Sequence, residues 1–263
     1  MRTINVTRYI LPLREGGSLP AIVEADDQGM YVLKFRGAGQ GAKALIAELV
    51  AGEIARALQL PVPEIVFAQL DAELARTEGD PEIQHLIKAS AGINLALDYL
   101  PGAVAFDPLA ETPDALLASR IVWFDAFTSN VDRTARNTNL LVWHRKLWLI
   151  DHGAALYFHH DWAGGGTVKS SDRARDAFAR IKDHVLLPLA TQFEAADAAA
   201  SELLNEKVLS EITTRIPDAW LAPEADLADI AAMRAAYLDY FMRRLQQSRA
   251  FVQEAIRARS IDV

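Results

Sequence analysis

The chain has 263 residues, with 35 acidic against 27 basic side chains and a formal charge of −8. Hydrophobic residues make up 51% and charged residues 24%, enough apolar content to exclude a disordered chain, and the acidic balance argues against non-specific nucleic-acid binding, which needs surplus Lys and Arg to displace condensed counterions. Cysteine is absent, which excludes a disulfide scaffold, a thiolate nucleophile and a Cys-ligated metal centre.

No apolar run of signal-peptide length precedes Arg14, and none approaches the roughly 20 residues that a membrane-spanning helix needs. The expectation is a cytoplasmic protein with no direct nucleic-acid or membrane partner. At about 150 residues per domain, the length fits one large domain or two small ones. Residues 6–13, 21–25 and 30–35 read as three strands. The first two are separated by the glycine-bearing stretch 14–18, and the second and third by an Asp27-to-Gly29 hairpin turn. Residues 42–60 read as a helix, with Leu45, Leu49, Gly52 and Leu58 at helical spacing, stopped by Pro61 and Pro63. Strands follow at 65–70 and 95–100, with a polar stretch, 71–82, holding a loop and a short helix between them.

Beyond Pro101 the pattern turns helical. Thr112-Pro113-Asp114 predicts a helix start, with Thr as N-cap and Pro at the first helical position. Its inner face is Leu116, Leu117, Ile121, Phe124 and Phe127, and its end is Thr128-Ser129-Asn130. Two apolar runs, 140–143 and 147–150, joined by His144-Arg145-Lys146, predict a hairpin. Residues 163–176 are rich in Gly, Ser and charge and read as a loop. Residues 225–259 fit one long helix with Leu227, Ile230, Leu238, Phe241, Leu245, Val252 and Ile256 inward. The fold class is therefore α+β, with a β-rich unit over residues 1–100 and a mainly helical one over 101–263.

The chemistry concentrates around the hairpin. Asp132 and Asn137 lie five apart on the loop before it, and Asp151 follows its second strand in Asp151-His152-Gly153. A hairpin that folds back brings its two ends together, so a carboxylate, an amide oxygen and a second carboxylate converge. Phosphoryl transfer from ATP uses such a set: Asp132 as the catalytic base, Asn137 and Asp151 as oxygen ligands of Mg²⁺. The pattern is the D-x-x-x-x-N, hairpin, D-x-G order of kinase catalytic loops. The plainer reading makes Asp132 and Asn137 loop caps and 151–153 a turn.

A kinase also needs a cation for the phosphates and a carboxylate to hold it. Lys34 sits late in the third strand, and Glu48 lies in the first half of the following helix, with Glu53 as second choice. Gly16, Gly17 and Ser18 let backbone N–H groups approach phosphate oxygens. Ser18 adds a hydroxyl and is also a conceivable phosphorylation site, although plain loop polarity is the simpler reading. In a two-lobed kinase, the segment 95–102 is the hinge, and the backbone near Asp98, Tyr99 and Leu100 pairs with the adenine edge.

These residues carry a resemblance. Val32-Leu33-Lys34-Phe35-Arg36-Gly37, Ala47-Glu48-Leu49, Leu60-Pro61-Val62-Pro63-Glu64, the run from Asn130 to Asn137, and Leu149-Ile150-Asp151-His152-Gly153 together resemble the HipA-like kinase family, over about residues 11–162. The resemblance implies a two-lobed protein-kinase-like fold related to the phosphoinositide 3/4-kinases, a β-rich N-lobe and a mainly helical C-lobe. It implies Ser/Thr protein kinase activity with ATP and Mg²⁺, with Asp132 as base, Asn137 and Asp151 as metal ligands, and Lys34 on the phosphates under the loop around Gly16 to Ser18. It also implies a small antitoxin-like partner, although the length leaves no room for the additional N-terminal subdomain of the larger toxin members. Asp-His-Gly stands where protein kinases carry Asp-Phe-Gly, and His152 fills the same packing position.

Other residues read more simply. His152, His159, His160 and Asp161 are potential zinc ligands, but adjacent histidines rarely point at one ion, and packing or substrate contact is the better reading. Arg133 and Arg136 meet a phosphate or a substrate carboxylate, or pair with local acids. Trp123, Trp143 and Trp148 read as core, and the pairs Arg173/Arg175 and Arg243/Arg244 as solvated faces. The leading expectation is an ATP-dependent kinase acting on a protein hydroxyl. The alternatives are a small-molecule kinase of the aminoglycoside-phosphotransferase type and a nucleotide-binding pseudokinase that serves as a partner module.

Overall fold

The computed structural model describes residues 1–13, 19–39, 41–164, 173–222 and 229–262. Five strands close into a barrel in the order β1-β2-β3-β5-β4: β1 (Thr3–Pro12), β2 (Ala21–Ala25), β3 (Met30–Lys34), β4 (Ile65–Leu70) and β5 (Gly92–Asp98). Closure depends on a parallel pairing of β1 with β4, Thr3 opposite Phe67. That pairing explains why β1 begins earlier than its apolar pattern predicts. β5 likewise runs 92–98 rather than 95–100, because β4 pairs with it along its whole length from Leu97 back to Gly92. Alternation along β3 sends Tyr31 and Leu33 into the barrel core with Val23, Val66 and Ala96, and leaves Val32 and Lys34 on the outer face.

Helix α1 (Ala42–Ala57) is buried on every side from Leu45 to Ile54, Glu48 and Glu53 included. The sequence pattern singled out Leu45, Leu49, Gly52 and Leu58 alone. The helix is enclosed because it packs on β4 and β5 and also on a later helix, Glu206–Thr214, and a helix with neighbours all round has no solvent face. Gly52 sits at the close approach to β4: a Cβ there would meet Ile65 Cδ1. The stretch 71–82 holds a 3₁₀ turn, and a full helix follows, α2 (Pro81–Ala89), capped by the Asp80 carboxylate on the Glu82 N–H at 2.9 Å.

The helical part begins with α3 (Ala115–Thr128). Its cap is Asp114, which accepts from the Leu117 N–H at 2.9 Å, rather than Thr112, so Pro113 precedes the helix. An Asp that reaches the third N–H also interacts with the helix dipole, an advantage Thr lacks. A second sheet, β6 (Val104–Ala105), β7 (Leu140–Trp143) and β8 (Lys146–Leu149), contains the predicted hairpin, with Leu140 opposite Leu149. Its turn is the two residues His144 and Arg145, both at positive φ. Trp123 is core, stacked on Phe127, whereas Trp143 and Trp148, on the second and third strands of this small sheet, are only half-buried.

The chain closes with α4 (Phe193–Leu203), α5 (Glu206–Thr214), α6 (Ile230–Gln246) and α7 (Ser248–Asp262). The predicted single helix over 225–259 is two helices divided at Gln247. α6 packs on α5, while α7 packs on α3 and α4, and one straight helix cannot serve both. Arg244, expected on a solvated face, is fully buried. It donates to the carbonyls of Ala126, Phe127, Ala174 and Asp176 and lies over the Phe251 ring. Among the described residues no helix is long and apolar enough to cross a membrane.

Candidate functional site

β3 ends at Lys34, whose Nζ lies 2.7 Å from Asp151 Oδ1 and 3.6 Å from Glu48 Oε2. Burial alone would pull the Lys34 ammonium down, but the two carboxylates outweigh it and hold it above its usual range. Burial would raise the Glu48 carboxyl; Lys34 and the nearby His152 reverse this and hold it below the carboxylate range. Glu53 is engaged elsewhere, with Arg56 and Arg215, so Glu48 is the partner of Lys34. His152 is buried, edge-on to Phe124, with Nδ1 3.3 Å from Glu48 Oε1. It packs inward as expected, and it also ties the Asp-His-Gly turn to α1.

The loop after α3 is built by short polar contacts. Ser129 ends the helix in the left-handed region. Asn130 Oδ1 then accepts from the Asp132 N–H at 3.1 Å. Asn137 Nδ2 donates to Asp132 Oδ2 at 2.8 Å, and Asn139 Nδ2 to the same oxygen at 3.2 Å. Both amides therefore orient one carboxylate. The hairpin returns the chain to this loop: the Ile150 N–H donates to the Asn139 carbonyl at 3.1 Å. Asp151 follows at φ 54, a left-handed conformation that turns its carboxylate away from the strand direction.

Two adjoining cavities meet at Lys34, Asn137 and Asp151. One, of about 410 Å³, is also bordered by Phe35, Ala38, Glu48, Asp132, Tyr157 and His160. The other, of about 620 Å³, is bordered by Val32, Leu97, Leu141 and Ile150 and by the segment Asp98, Tyr99 and Leu100. In that segment the Asp98 N–H already donates to the Glu64 carbonyl and the Tyr99 N–H to the Met30 carbonyl. Among the described residues the Leu100 N–H has no such partner. Burial and the nearby Glu64 raise the Asp98 carboxyl. Gly16, Gly17 and Ser18 lie outside the described residues.

Of the two readings of Arg133, pairing with a local acid holds: it is buried, its Nε 2.6 Å from Asp125 Oδ2. Arg136 remains on the surface. His159 is buried with Nδ1 3.0 Å from the Tyr237 hydroxyl, and its carbonyl accepts from Lys43 Nζ at 2.7 Å. Its imidazole is held well below the usual range, first by burial and then by His160 and Lys43. Among the described residues no three His, Asp or Glu side chains converge as a metal-binding group. Asp125, Asn139 and His184 were not foreseen. One signal for Asp125 was available: a lone acid inside the apolar run Trp123-Phe124-Asp125-Ala126-Phe127 must find a buried partner.

A comparison with curated proteins returned no match. Among solved structures, a Helicobacter pylori proinflammatory kinase, CtkA, is 13% identical, with a TM-score of 0.54 over 97% of this chain and 99% of that one. The Golgi casein kinase with Mn/ADP bound is 11% identical, with a TM-score of 0.49 over 100% of this chain and 74% of that one. The first of these likenesses shows a kinase-like fold. The family model of HipA-like kinases matches residues 6–254. The chain thus belongs to the HipA-like kinase family and is a kinase phosphotransferase.

Proposed function

We propose that this kinase transfers the γ-phosphoryl group of ATP to a serine or threonine hydroxyl of a protein, with Mg²⁺. The barrel with α1 and α2 serves as one lobe, about residues 1–100, and the helical remainder, 101–263, as the other. The observation that carries the reading is the meeting of Lys34, Asn137 and Asp151 at the junction of two cavities, with Asp132 and Glu48 on the wall of one of them. The larger cavity takes the adenine between Val32, Leu97, Leu141 and Ile150, with the Leu100 N–H as its donor.

The donor set fits a hard divalent cation. The Asn137 amide nitrogen is committed to Asp132, which leaves its oxygen free, and Asp151 supplies a carboxylate. When bound, Mg²⁺ neutralises phosphate charge. Lys34 then turns from Asp151 to the phosphates, held by Glu48. Asp132 Oδ2 is fixed by the two amides, and Oδ1 accepts the proton of the acceptor hydroxyl. The hydroxyl oxygen forms a bond to the γ-phosphorus as the bond from that phosphorus to the β,γ-bridging oxygen breaks, and the electron pair of the broken bond leaves on ADP. An aminoglycoside acceptor would require uncommitted acids. In the smaller cavity the carboxylates are Glu48, Asp132 and Asp151, each already assigned.

The test is ADP release and phosphoprotein formation with Mg-ATP, for the wild type and for Asp132→Ala. Loss of a general base lowers turnover by roughly 10²–10⁴-fold. Wild-type turnover in the variant would refute the base role, and no binding of Mg-ATP by calorimetry would refute the nucleotide site.

A further inference from the structure

Among the described residues, Asp125 is the most enclosed acid that the mechanism above leaves unused. It lies in the last turn of α3 and has no exposed surface. Three donors from two segments converge on it: Asn130 Nδ2 at 2.9 Å and Arg133 Nε at 2.6 Å from the loop after α3, and His184 Nε2 at 2.8 Å. Burial would raise its carboxyl, but Arg133 and His184 hold it far below the usual range. Arg133 adjoins Asp132 in sequence. Its Nη1 reaches the Asn139 carbonyl and, at 3.5 Å, the Ile150 carbonyl. Those two residues flank the hairpin, and each is a chain neighbour of, or hydrogen-bonded to, a residue of the site: Ile150 precedes Asp151, and Asn139 contacts Asp132 Oδ2. On the far side the Val185 N–H donates to the Arg133 carbonyl at 3.1 Å, and Thr134 bridges to His184.

We propose that Asp125 is a positioning residue for phosphoryl transfer. Through Arg133 it sets the spacing between the loop that carries Asp132 and the turn that carries Asp151. A guanidinium has a fixed planar fork, so one carboxylate orients the donors that reach both ends of the hairpin. The carboxylate touches neither nucleotide cavity, so its effect falls on geometry and not on nucleotide binding. A buried ion pair that served packing alone would, when broken, affect folding, nucleotide binding and turnover together.

The inference rests on Asp132 and Asp151 acting as proposed, and the experiment separates the two. Asp125→Asn keeps the volume and removes the charge. The readouts are turnover by ADP release, Mg-ATP affinity by calorimetry, and the thermal melt. The expected result is a fall in kcat of at least tenfold with Mg-ATP affinity within threefold of wild type. Unchanged kcat, or an equal loss of kcat and nucleotide affinity, would overturn the proposal. If Asp125→Asn does not fold, Asp125→Glu carries the same arms, since it keeps the buried charge but displaces it by one methylene. In the double variant Asp125→Asn/Arg133→Gln the loss should not exceed that of the worse single variant; additive losses would also overturn it. Asp132→Ala, measured alongside, reports separately on the base, because wild-type turnover there refutes that role whatever Asp125 does.

Discussion

Lys34 is shared by two carboxylates with different roles. Glu48 is buried and lies on α1, whereas Asp151 is 42% exposed at the side chain and, in the mechanism proposed above, turns to Mg²⁺ once nucleotide binds. Removing the Glu48 charge leaves Lys34 to Asp151 alone, so that lysine and Mg²⁺ compete for one carboxylate. Glu48→Gln should therefore raise the Mg²⁺ concentration needed for half-maximal activity by about tenfold, which corresponds to about 1.4 kcal/mol; a magnesium titration of turnover checks it. A metal requirement unchanged from wild type would mean that Glu48 does not hold Lys34 off Asp151. Arginines carry the same lesson about context. Arg133, Arg136, Arg243 and Arg244 are alike as letters, yet the first and last are buried and the other two reach solvent. No local pattern separates them, because what buries an arginine is the carbonyl or carboxylate that another element brings to it.

At the scale of elements, the informative case is the end of α3. Its last carbonyls, those of Ala126 and Phe127, are satisfied by Arg244 from α6 and not by a local cap alone. The same guanidinium also holds the carbonyls of Ala174 and Asp176. Arg244→Ala should destabilise the fold by about 3–5 kcal/mol, since it removes a buried charged donor from several acceptors at once. Denaturant unfolding measures this, and Arg244→Lys should recover only part of it because one ammonium cannot span the four carbonyls. The pair α6 and α7 shows why periodicity alone reads one helix. The apolar stripe continues in phase across Gln247, and only the positions of α3, α4 and α5 demand the break. By contrast, α2 carries a local start signal that the reading of 71–82 as a loop with a short helix passed over: Asp80-Pro81-Glu82 is a capping acid, an N1 proline and a first-turn acid.

At the scale of the whole molecule, the buried histidines dictate a pH response. Burial holds His159 and His184 below the usual 6.5, the latter despite its contact with Asp125. In the unfolded chain each takes up a proton near 6.5 that the folded chain refuses. The unfolded state then binds more protons, so stability falls as pH drops below that value, with a slope of about 1.4 kcal/mol per pH unit for each histidine. A second loss follows below about 4.5, where Glu48 and Asp125 take up protons in the unfolded chain that the folded chain, which holds both carboxyls low, refuses. Melting temperatures from pH 8 to 5 should decline, and His159→Gln should flatten the upper part of the curve. A melting temperature independent of pH over that range would contradict the assignment. Mg-ATP should raise the melting point, by about 2.7 kcal/mol of stability at a hundredfold excess over Kd, and the Lys34→Met variant should lose most of that gain in a thermal-shift titration.

The sequence by itself determined the elements of the barrel, the hairpin and the order Lys34, Glu48, Asp132, Asn137, Asp151. These depend on period, spacing and turn chemistry within short stretches, and a hairpin necessarily brings its own ends together. Only the tertiary structure decided that Glu48 and not Glu53 faces Lys34, that among the described residues the Leu100 N–H has no backbone partner, and that Asp125 and His184 stand behind the loop after α3 through Arg133. Each of those outcomes depends on which group, distant along the chain, arrives at a buried charge or an unpaired backbone group. Burial and charge compensation are properties of the packed whole, and neither is encoded in the neighbours of a residue along the chain.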